Sequence, residues 1–170
     1  MTHPHLRRFD LPFQWPTPSF QVVLVRPEIP PNTGNIARLC AATGTPLHLV
    51  GPMGFRLSDK SVRRAGLDYW DAVELHAHGD WDDFRQALPL AADRVHLFST
   101  SGTRGLFDAR FQSGDVLIFG SESIGLPDPL LREFPDRILG IPMHSDDVRS
   151  LNLSTSVGIA LYEALRQQQR

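Results

Sequence analysis

The fold of this chain is decided by the stretch Phe20-Gln-Val-Val-Leu-Val-Arg-Pro-Glu-Ile-Pro-Pro-Asn-Thr-Gly-Asn35, in which an apolar run passes into a polar, proline-rich loop. The apolar run, residues 20–25, predicts a buried strand, and residues 36–43 after the loop predict a helix with Asn32 or Thr33 as its cap. Apolar stretches alternate with amphipathic stretches in the same way along the rest of the chain. This alternation predicts an α/β fold, namely a mainly parallel sheet with helices on both faces.

The remaining elements follow from the same patterns. Further strands are predicted at residues 46–50, 72–77, 95–100, 116–119 and 138–141, and further helices at residues 59–67, 80–88, 128–133 and 154–168, with Asp80 as an N-cap. Residues 1–19 contain several prolines and no periodic pattern, so we expect an extended or disordered lead-in. Residues 20–170 are then a single domain.

Composition and charge exclude several classes of protein. The chain has 170 residues, is 41% hydrophobic and 21% charged, and carries a formal net charge of −2. No apolar run approaches the roughly 20 residues that cross a bilayer, so we expect no membrane partner and a cytoplasmic location. The single cysteine and the scattered histidines lack metal-ligand spacing, so no metal is expected. Any contact with a nucleic acid would have to come from a local basic patch, such as Arg56, Lys60, Arg63 and Arg64.

The first loop after a strand combines polar side chains with the start of a helix. In parallel sheets, ligands bind outside the carboxyl ends of the strands, where such loops converge. Asn32, Asn35 and Arg38 could form a cluster that binds phosphate and ribose, because free backbone amides at a helix start favour an anion. The same residues are equally compatible with a capped helix and a solvated arginine.

Two later loops have the character of a small-ligand site. Gly120 and Gly125 flank Glu122 directly after a predicted strand, a spacing that suits close wrapping of a ligand but matches neither a dinucleotide fingerprint nor a P-loop. Glu122 could pair with a substrate or a neighbouring amide, or simply stabilise a turn. In Arg149-Ser-Leu-Asn-Leu-Ser154, alternation directs the leucines to the core and Ser150 and Asn152 to the other side, an arrangement that would suit an adenine ring. Ser154 is typical of a helix cap.

With these loops in place, the chain resembles the SPOUT class of RNA methyltransferases and, within it, the tRNA (cytidine/uridine-34 2′-O)-methyltransferases. The resemblance runs from Phe20 to Arg166. It rests on residues 27–36, 38–41, 52–55, 63–69, on Phe119-Gly with Glu122, on Gly125-Leu-Pro127, and on residues 141–143, 149–154 and 162–166. Ile124 departs from the pattern, because many relatives carry a basic residue there.

The resemblance implies a C-terminal deep trefoil knot and transfer of a methyl group from S-adenosyl-L-methionine to a ribose 2′-hydroxyl, with S-adenosyl-L-homocysteine as product. It implies a homodimer with shared active sites that acts on the anticodon stem-loop of tRNA. The expected catalytic residues are Arg38, Glu122, Asn152 and Tyr162. The expected cofactor-binding residues are Phe98, Gly120, Gly125, Ile141, Met143, Ser150 and Leu151. The expected RNA-binding residues are Asn32, Asn35, Arg38, Arg63, Arg64 and Arg149.

Other interpretations stay open at the level of sequence. Arg38 is proposed as the base in relatives, but an arginine stays protonated in proteins, so we prefer Arg38 as an electrostatic anchor of phosphate and ribose. The acceptor could be another tRNA or rRNA site. The chain could be a small α/β hydrolase that uses Ser121 or Ser150, but its sequence has no nucleophile-elbow motif. It could also be a non-catalytic RNA-binding module, but its sequence has no strongly basic face.

Overall fold

The structure is a computed structural model that describes residues 11–57 and 69–169. Its centre is a seven-stranded sheet in the order β3-β2-β1-β6-β4-β7-β5, and every strand pair is parallel. The strands are β1 (Gln21–Val25), β2 (Leu47–Val50), β3 (Leu75–His78), β4 (Val95–Phe98), β5 (Arg104–Gly105), β6 (Val116–Phe119) and β7 (Ile138–Gly140). The predicted parallel sheet is therefore confirmed.

Helices cover both faces of the sheet, as predicted. The α-helices are α1 (Pro30–Thr43), α2 (Trp81–Ala87), α3 (Asp128–Glu133) and α4 (Leu153–Gln167), and 3₁₀ turns occur at Trp70–Ala72, Ala92–Arg94, Leu106–Asp108 and Pro135–Arg137. Alternate residues of β1 point to opposite faces. Val22 and Leu24 join one buried cluster with residues of α1 and α4, whereas Val23 joins a second cluster with residues of α2 and α3.

The start of α1 differs from the prediction. The helix begins at Pro30 instead of Ile36, its N-cap is Ile29, and no side chain caps it. Proline lacks a backbone N–H, which costs nothing at the first helical positions because those N–H groups have no intrahelical partner. The predicted caps Asn32 and Thr33 therefore lie inside the first turn of α1. The prediction that Pro30 and Pro31 belong to a loop was wrong.

Two other element starts are corrected. Residues 70–72 form a 3₁₀ turn, so the third strand begins at Leu75 rather than at Ala72. The closing helix begins at Leu153, and Asn152 rather than Ser154 is its N-cap. Asp80 caps α2 as predicted, accepting a hydrogen bond of 2.9 Å from the Asp83 amide. The predicted helix at residues 59–67 lies outside the described residues.

The described part of the N-terminal lead-in contacts the end of the chain. Gln14 and Gln169 exchange two hydrogen bonds, of 3.1 Å and 3.0 Å, each between a backbone group of Gln14 and the Gln169 side chain. The Ser113 hydroxyl donates to the Pro18 carbonyl oxygen. Among the residues described, no helix is long and apolar enough to span a membrane.

Candidate active site

A cavity of about 600 Å³ opens at the carboxyl ends of β4, β6 and β7. Its apolar wall includes Phe98 and Phe119, whose rings stack with centroids 4.6 Å apart and planes 7° apart. Each of the residues predicted to bind the cofactor lines this cavity: Phe98, Gly120, Gly125, Ile141, Met143, Ser150 and Leu151. These residues come from the end of β4 and from the loops after β6 and β7, which are separated in sequence and which the parallel sheet brings to one edge.

The glycine loop forms a tight turn against the cavity. Ser121 and Gly125 exchange two backbone hydrogen bonds, of 3.1 Å and 2.9 Å. Gly125 has φ +76°, a left-handed conformation that favours glycine. A Cβ on Gly120 would lie 2.0 Å from the Gly125 carbonyl carbon, so the chain passes over itself at a distance that only glycine permits.

Glu122 ties this loop to the start of α1. Its carboxylate accepts hydrogen bonds from the backbone amides of Glu28 (2.8 Å) and Ile29 (3.2 Å) and from the Asn32 side-chain amide (3.0 Å). Of the alternatives open at the level of sequence, the structure shows Glu122 paired with neighbouring amides. Both carboxylate oxygens accept from protein donors, so the contacts of Glu122 hold two loops together.

Asn32 and Asn152 extend this connection to α4. The Asn152 side chain donates a 2.9 Å hydrogen bond to the Asn32 side-chain oxygen, and its own oxygen accepts from the Ser154 amide at 2.9 Å. Asn32 is buried, and both ends of its side-chain amide are engaged within the protein. Asn32, which is predicted to bind RNA, bridges Glu122 and Asn152 and also lines the cavity.

A second carboxylate, Glu28, connects the residues before α1 to the glycine loop, and no role is predicted for it from the sequence. Glu28 accepts hydrogen bonds from the amide (3.1 Å) and hydroxyl (2.7 Å) of Ser123. Glu28 and Ser123 are 95 residues apart, so no local pattern pairs them. Next to Ser123, Ile124 lines the cavity while leaving 83% of its surface exposed.

Some of the predicted RNA-binding and catalytic residues line the cavity and others do not. Arg149 lines the cavity, whereas Arg38 and Asn35, both exposed, lie on α1 outside the lining. Tyr162 is 52% exposed on α4 and is also outside the lining. Arg63 and Arg64 lie outside the described residues.

Arg38 has an aromatic neighbour. Its guanidinium carbon lies 4.8 Å from the centre of the Tyr69 ring, and its Nη2 donates a long hydrogen bond of 3.4 Å to the Tyr69 hydroxyl. Tyr69 is a second residue without an assigned role at the level of sequence. Its only sequence signal was its position at the end of the basic stretch that carries part of the resemblance.

A histidine cluster lies on β2 and β3, away from the cavity. His48 shares hydrogen bonds with His78 (3.0 Å) and Gln21 (2.9 Å), and its ring stacks on His76 with centroids 4.8 Å apart. Burial, and then the charges of His76 and His78, lower the pKa of His48 from 6.5 to about 4. His48 is therefore neutral at physiological pH.

A buried aspartate joins β4 to β6 at the opposite end of the sheet. Asp115 accepts hydrogen bonds from His96 Nε2 (2.8 Å), from the Gln112 amide (2.8 Å) and from Arg94. Burial alone would raise the pKa of Asp115, but these hydrogen bonds outweigh it and hold the pKa below its ordinary value. This cluster stabilises the sheet far from the cavity.

The described residues offer neither a metal site nor an activated nucleophile. No group of three His, Cys, Asp or Glu residues is placed there to hold a metal ion. Burial raises the pKa of the Cys40 thiol to about 12, so it stays protonated in the core. In the same ranges, no histidine hydrogen-bonds to Ser121 or Ser150, the two serines that a hydrolase would use.

Comparison with known proteins now identifies the family. The model of the SpoU rRNA methylase family matches residues 19–162. The chain belongs to the SpoU methylase family. A tRNA (cytidine(34)-2′-O)-methyltransferase from Burkholderia cenocepacia is 50% identical over 149 residues, covering 87% of this chain and 95% of the relative.

Solved structures agree with this SpoU methylase assignment. One, described as giving structural insights into the 2-OH methylation of C/U34 on tRNA, is 52% identical with a TM-score of 0.83, covering 88% of this chain and 95% of that one. An AdoMet-bound rRNA methyltransferase from Sinorhizobium meliloti is 28% identical with a TM-score of 0.79, covering 89% of this chain and 57% of that one.

Proposed function

We propose that this SpoU methylase transfers a methyl group from S-adenosyl-L-methionine to the ribose 2′-hydroxyl of nucleotide 34, cytidine or uridine, of tRNA. The observation that carries the proposal is the 50% identity, over nearly the whole length of both chains, to a tRNA (cytidine(34)-2′-O)-methyltransferase. The cavity is bounded by the loops after β4, β6 and β7 and offers a site for the cofactor of this reaction.

The cavity residues fit S-adenosyl-L-methionine. The volume of the cavity, about 600 Å³, lies within the range of roughly 300–1,000 Å³ that is typical of small-molecule sites. Phe98, Ile141 and Leu151 offer an apolar slot for adenine, and the backbone around Gly120 and Ser150 offers hydrogen-bonding groups at close range. When bound, the cofactor supplies an electrophilic methyl group on a sulfonium, whose leaving group is a neutral thioether.

The residues of the chain then act mainly by alignment. The ribose hydroxyl must lie in line with the methyl group, a requirement that favours rigid loops over a strong base. Glu122, Asn32 and Asn152 provide this rigidity through the hydrogen bonds described above. Arg38 anchors phosphate and ribose through its positive charge, which stabilises the developing alkoxide as the hydroxyl proton passes to solvent water.

The assembly we propose is a homodimer with shared active sites that binds the anticodon stem-loop in the cytoplasm. Arg38 and Tyr162 lie outside the cavity of their own chain, which supports a site completed by a second subunit. Arg63, Arg64 and Arg149 would supply further contacts to RNA phosphates.

We also propose the deep trefoil knot at the C-terminal end. Strand β7 follows β6 in sequence but lies between β4 and β5 in the sheet. The loop after β4 passes so close to β7 that a Cβ on Gly102 would lie 2.4 Å from the Leu139 carbonyl carbon. Both observations support a chain that threads tightly past itself in this region.

Nucleoside mass spectrometry of tRNA tests the proposed function. Purified protein with S-adenosyl-L-methionine should restore 2′-O-methylation at nucleotide 34 to tRNA from a strain that lacks the gene. Methylation at a different position would favour another tRNA or rRNA acceptor. Absence of both cofactor binding by calorimetry and methyl transfer would favour a non-catalytic RNA-binding module.

A further inference from the structure

The contact between Arg38 and Tyr69 differs in geometry from the contacts of three other arginines that the structure describes. Arg85, Arg94 and Arg166 each face a carboxylate. The Arg38 guanidinium instead lies over the Tyr69 ring, 4.8 Å from its centre. Among the residues that the structure describes, no carboxylate lies within ion-pair distance of Arg38.

An aromatic partner and a carboxylate have opposite consequences for an anion-binding arginine. A carboxylate neutralises the guanidinium and occupies its N–H groups. A ring has no net charge and attracts the cation through its face, so the positive charge persists and N–H groups in the guanidinium plane remain available. An arginine held in this way is positioned but not neutralised.

The backbone of Tyr69 is itself held in place. Tyr69 is the N-cap of the 3₁₀ turn Trp70–Ala72, and its carbonyl oxygen accepts a 2.9 Å hydrogen bond from the Ala72 amide. The next residue, Val73, is buried in the core cluster that includes α1. The ring is thus attached to a short, anchored element next to the helix that carries Arg38, which limits the rotamers open to both side chains.

We propose that Tyr69 is a positioning residue for Arg38, holding the guanidinium ready to bind a phosphate of the substrate RNA without neutralising its charge. This proposal rests on the proposed function, in which Arg38 anchors the RNA. Both residues belong to one chain, so the pair operates in the same way whether Arg38 serves its own cavity or that of a partner subunit.

The two contacts between the residues predict different results for two substitutions. Tyr69→Leu removes the ring and should lower kcat/KM for tRNA by roughly 3- to 30-fold, the range given by the strength of cation–π contacts. Tyr69→Phe keeps the ring and loses only the 3.4 Å hydrogen bond, so kcat/KM should stay within about 3-fold of the original protein. Neither substitution should change the Kd for S-adenosyl-L-methionine, since Tyr69 does not line the cavity.

A double-mutant cycle separates positioning from a general structural role. Arg38→Ala combined with Tyr69→Leu should be no less active than Arg38→Ala alone, because the ring acts only through the arginine. Phe107→Leu, which makes the same kind of ring-to-leucine change at an exposed position, should leave activity unchanged. Thermal unfolding of each variant shows whether it is folded. If Tyr69→Leu does not fold, Tyr69→Phe carries the test, because a loss of much more than about 3-fold in a variant that keeps the ring would contradict positioning by the ring face.

Three results would overturn the proposal: full activity in Tyr69→Leu, losses that multiply in the double variant, or equal losses in the two Tyr69 substitutions. The proposed function fails separately, if the unmodified protein does not methylate nucleotide 34. In that case the same cycle, measured as tRNA binding by fluorescence anisotropy, still decides whether Tyr69 acts through Arg38.

Discussion

Gly120 is the position at which a single methyl group should do most damage to the site. The Cβ of an alanine there would lie 2.0 Å from the carbonyl carbon of Gly125, 2.3 Å from its oxygen and 2.2 Å from the amide nitrogen of Leu126. All three are backbone atoms, so no change of side-chain rotamer relieves the contact. We expect Gly120→Ala to force the loop of residues 121–125 away from the end of β6.

The loss of stability can be worked out from the hydrogen bonds and the packing that the loop would lose. The two hydrogen bonds between Ser121 and Gly125 each contribute about 1 kcal/mol, and overpacking of a rigid site adds about 1–3 kcal/mol. The free energy of unfolding should therefore fall by about 3–5 kcal/mol, which lowers the Tm by roughly 6–20 °C for a chain of this size. If about 3 kcal/mol is also lost from cofactor binding, the Kd rises about 100-fold.

Two other glycines supply matched controls. Gly125→Ala meets no atom within 4 Å, so it should cost only the roughly 1–2 kcal/mol of placing a side chain at φ +76°. Gly158 lies within α4, where an added Cβ reaches ordinary contact with Leu39 at 4.0 Å, so Gly158→Ala should raise stability by about 0.5–1 kcal/mol.

Chemical denaturation and calorimetry with S-adenosyl-L-methionine would measure these effects. The expected order of stability is Gly158→Ala, the original protein, Gly125→Ala and then Gly120→Ala. The reasoning would be refuted if Gly120→Ala unfolded within about 1 kcal/mol of the original protein and bound the cofactor with unchanged affinity.

Three further predictions concern the carboxylates and the histidine cluster. Asp115→Asn should lower the free energy of unfolding at pH 7, because the hydrogen-bonded carboxylate stabilises the fold while it is ionised. The difference in stability between the variant and the original protein should disappear as the pH falls below 3.8, which denaturation at several pH values would measure. His48 should make the protein less stable as the pH falls from 6.5 towards 4, since the unfolded chain takes up the proton first, and a His48→Gln variant should have a flatter pH–stability curve. Glu28→Gln should loosen Ser123 and raise the Kd for S-adenosyl-L-methionine about 3- to 10-fold, consistent with the loss of roughly 1 kcal/mol of charge-assisted hydrogen bonding, and an unchanged Kd in calorimetry would count against this role.

The elements and the cavity were predictable because their signals are local. A four-residue apolar strand such as β6 and the glycines after it form patterns within a dozen residues, and parallel topology then places the loop at the ligand-binding edge. The contacts of Glu122 were not predictable, since its partners Glu28 and Asn32 lie 94 and 90 residues away. The start of α1 was missed for a different reason: consecutive prolines indicate a loop unless they occupy the first turn of a helix.

The same contacts explain how an acidic chain can present a site to RNA. Two carboxylates next to the cavity are hydrogen-bonded within the protein: Glu122 accepts from backbone amides at the start of α1, and Glu28 accepts from Ser123. A third, Asp128, lines the cavity and is exposed beside Arg132. In the described ranges, no carboxylate forms an ion pair with Arg38 or Arg149. Glu28 and Glu122 therefore hold the loops together without forming an ion pair with Arg38 or Arg149. Attraction of RNA to an exposed arginine such as Arg149 is compatible with a net charge of −2, because it depends on which charges remain uncompensated at the surface.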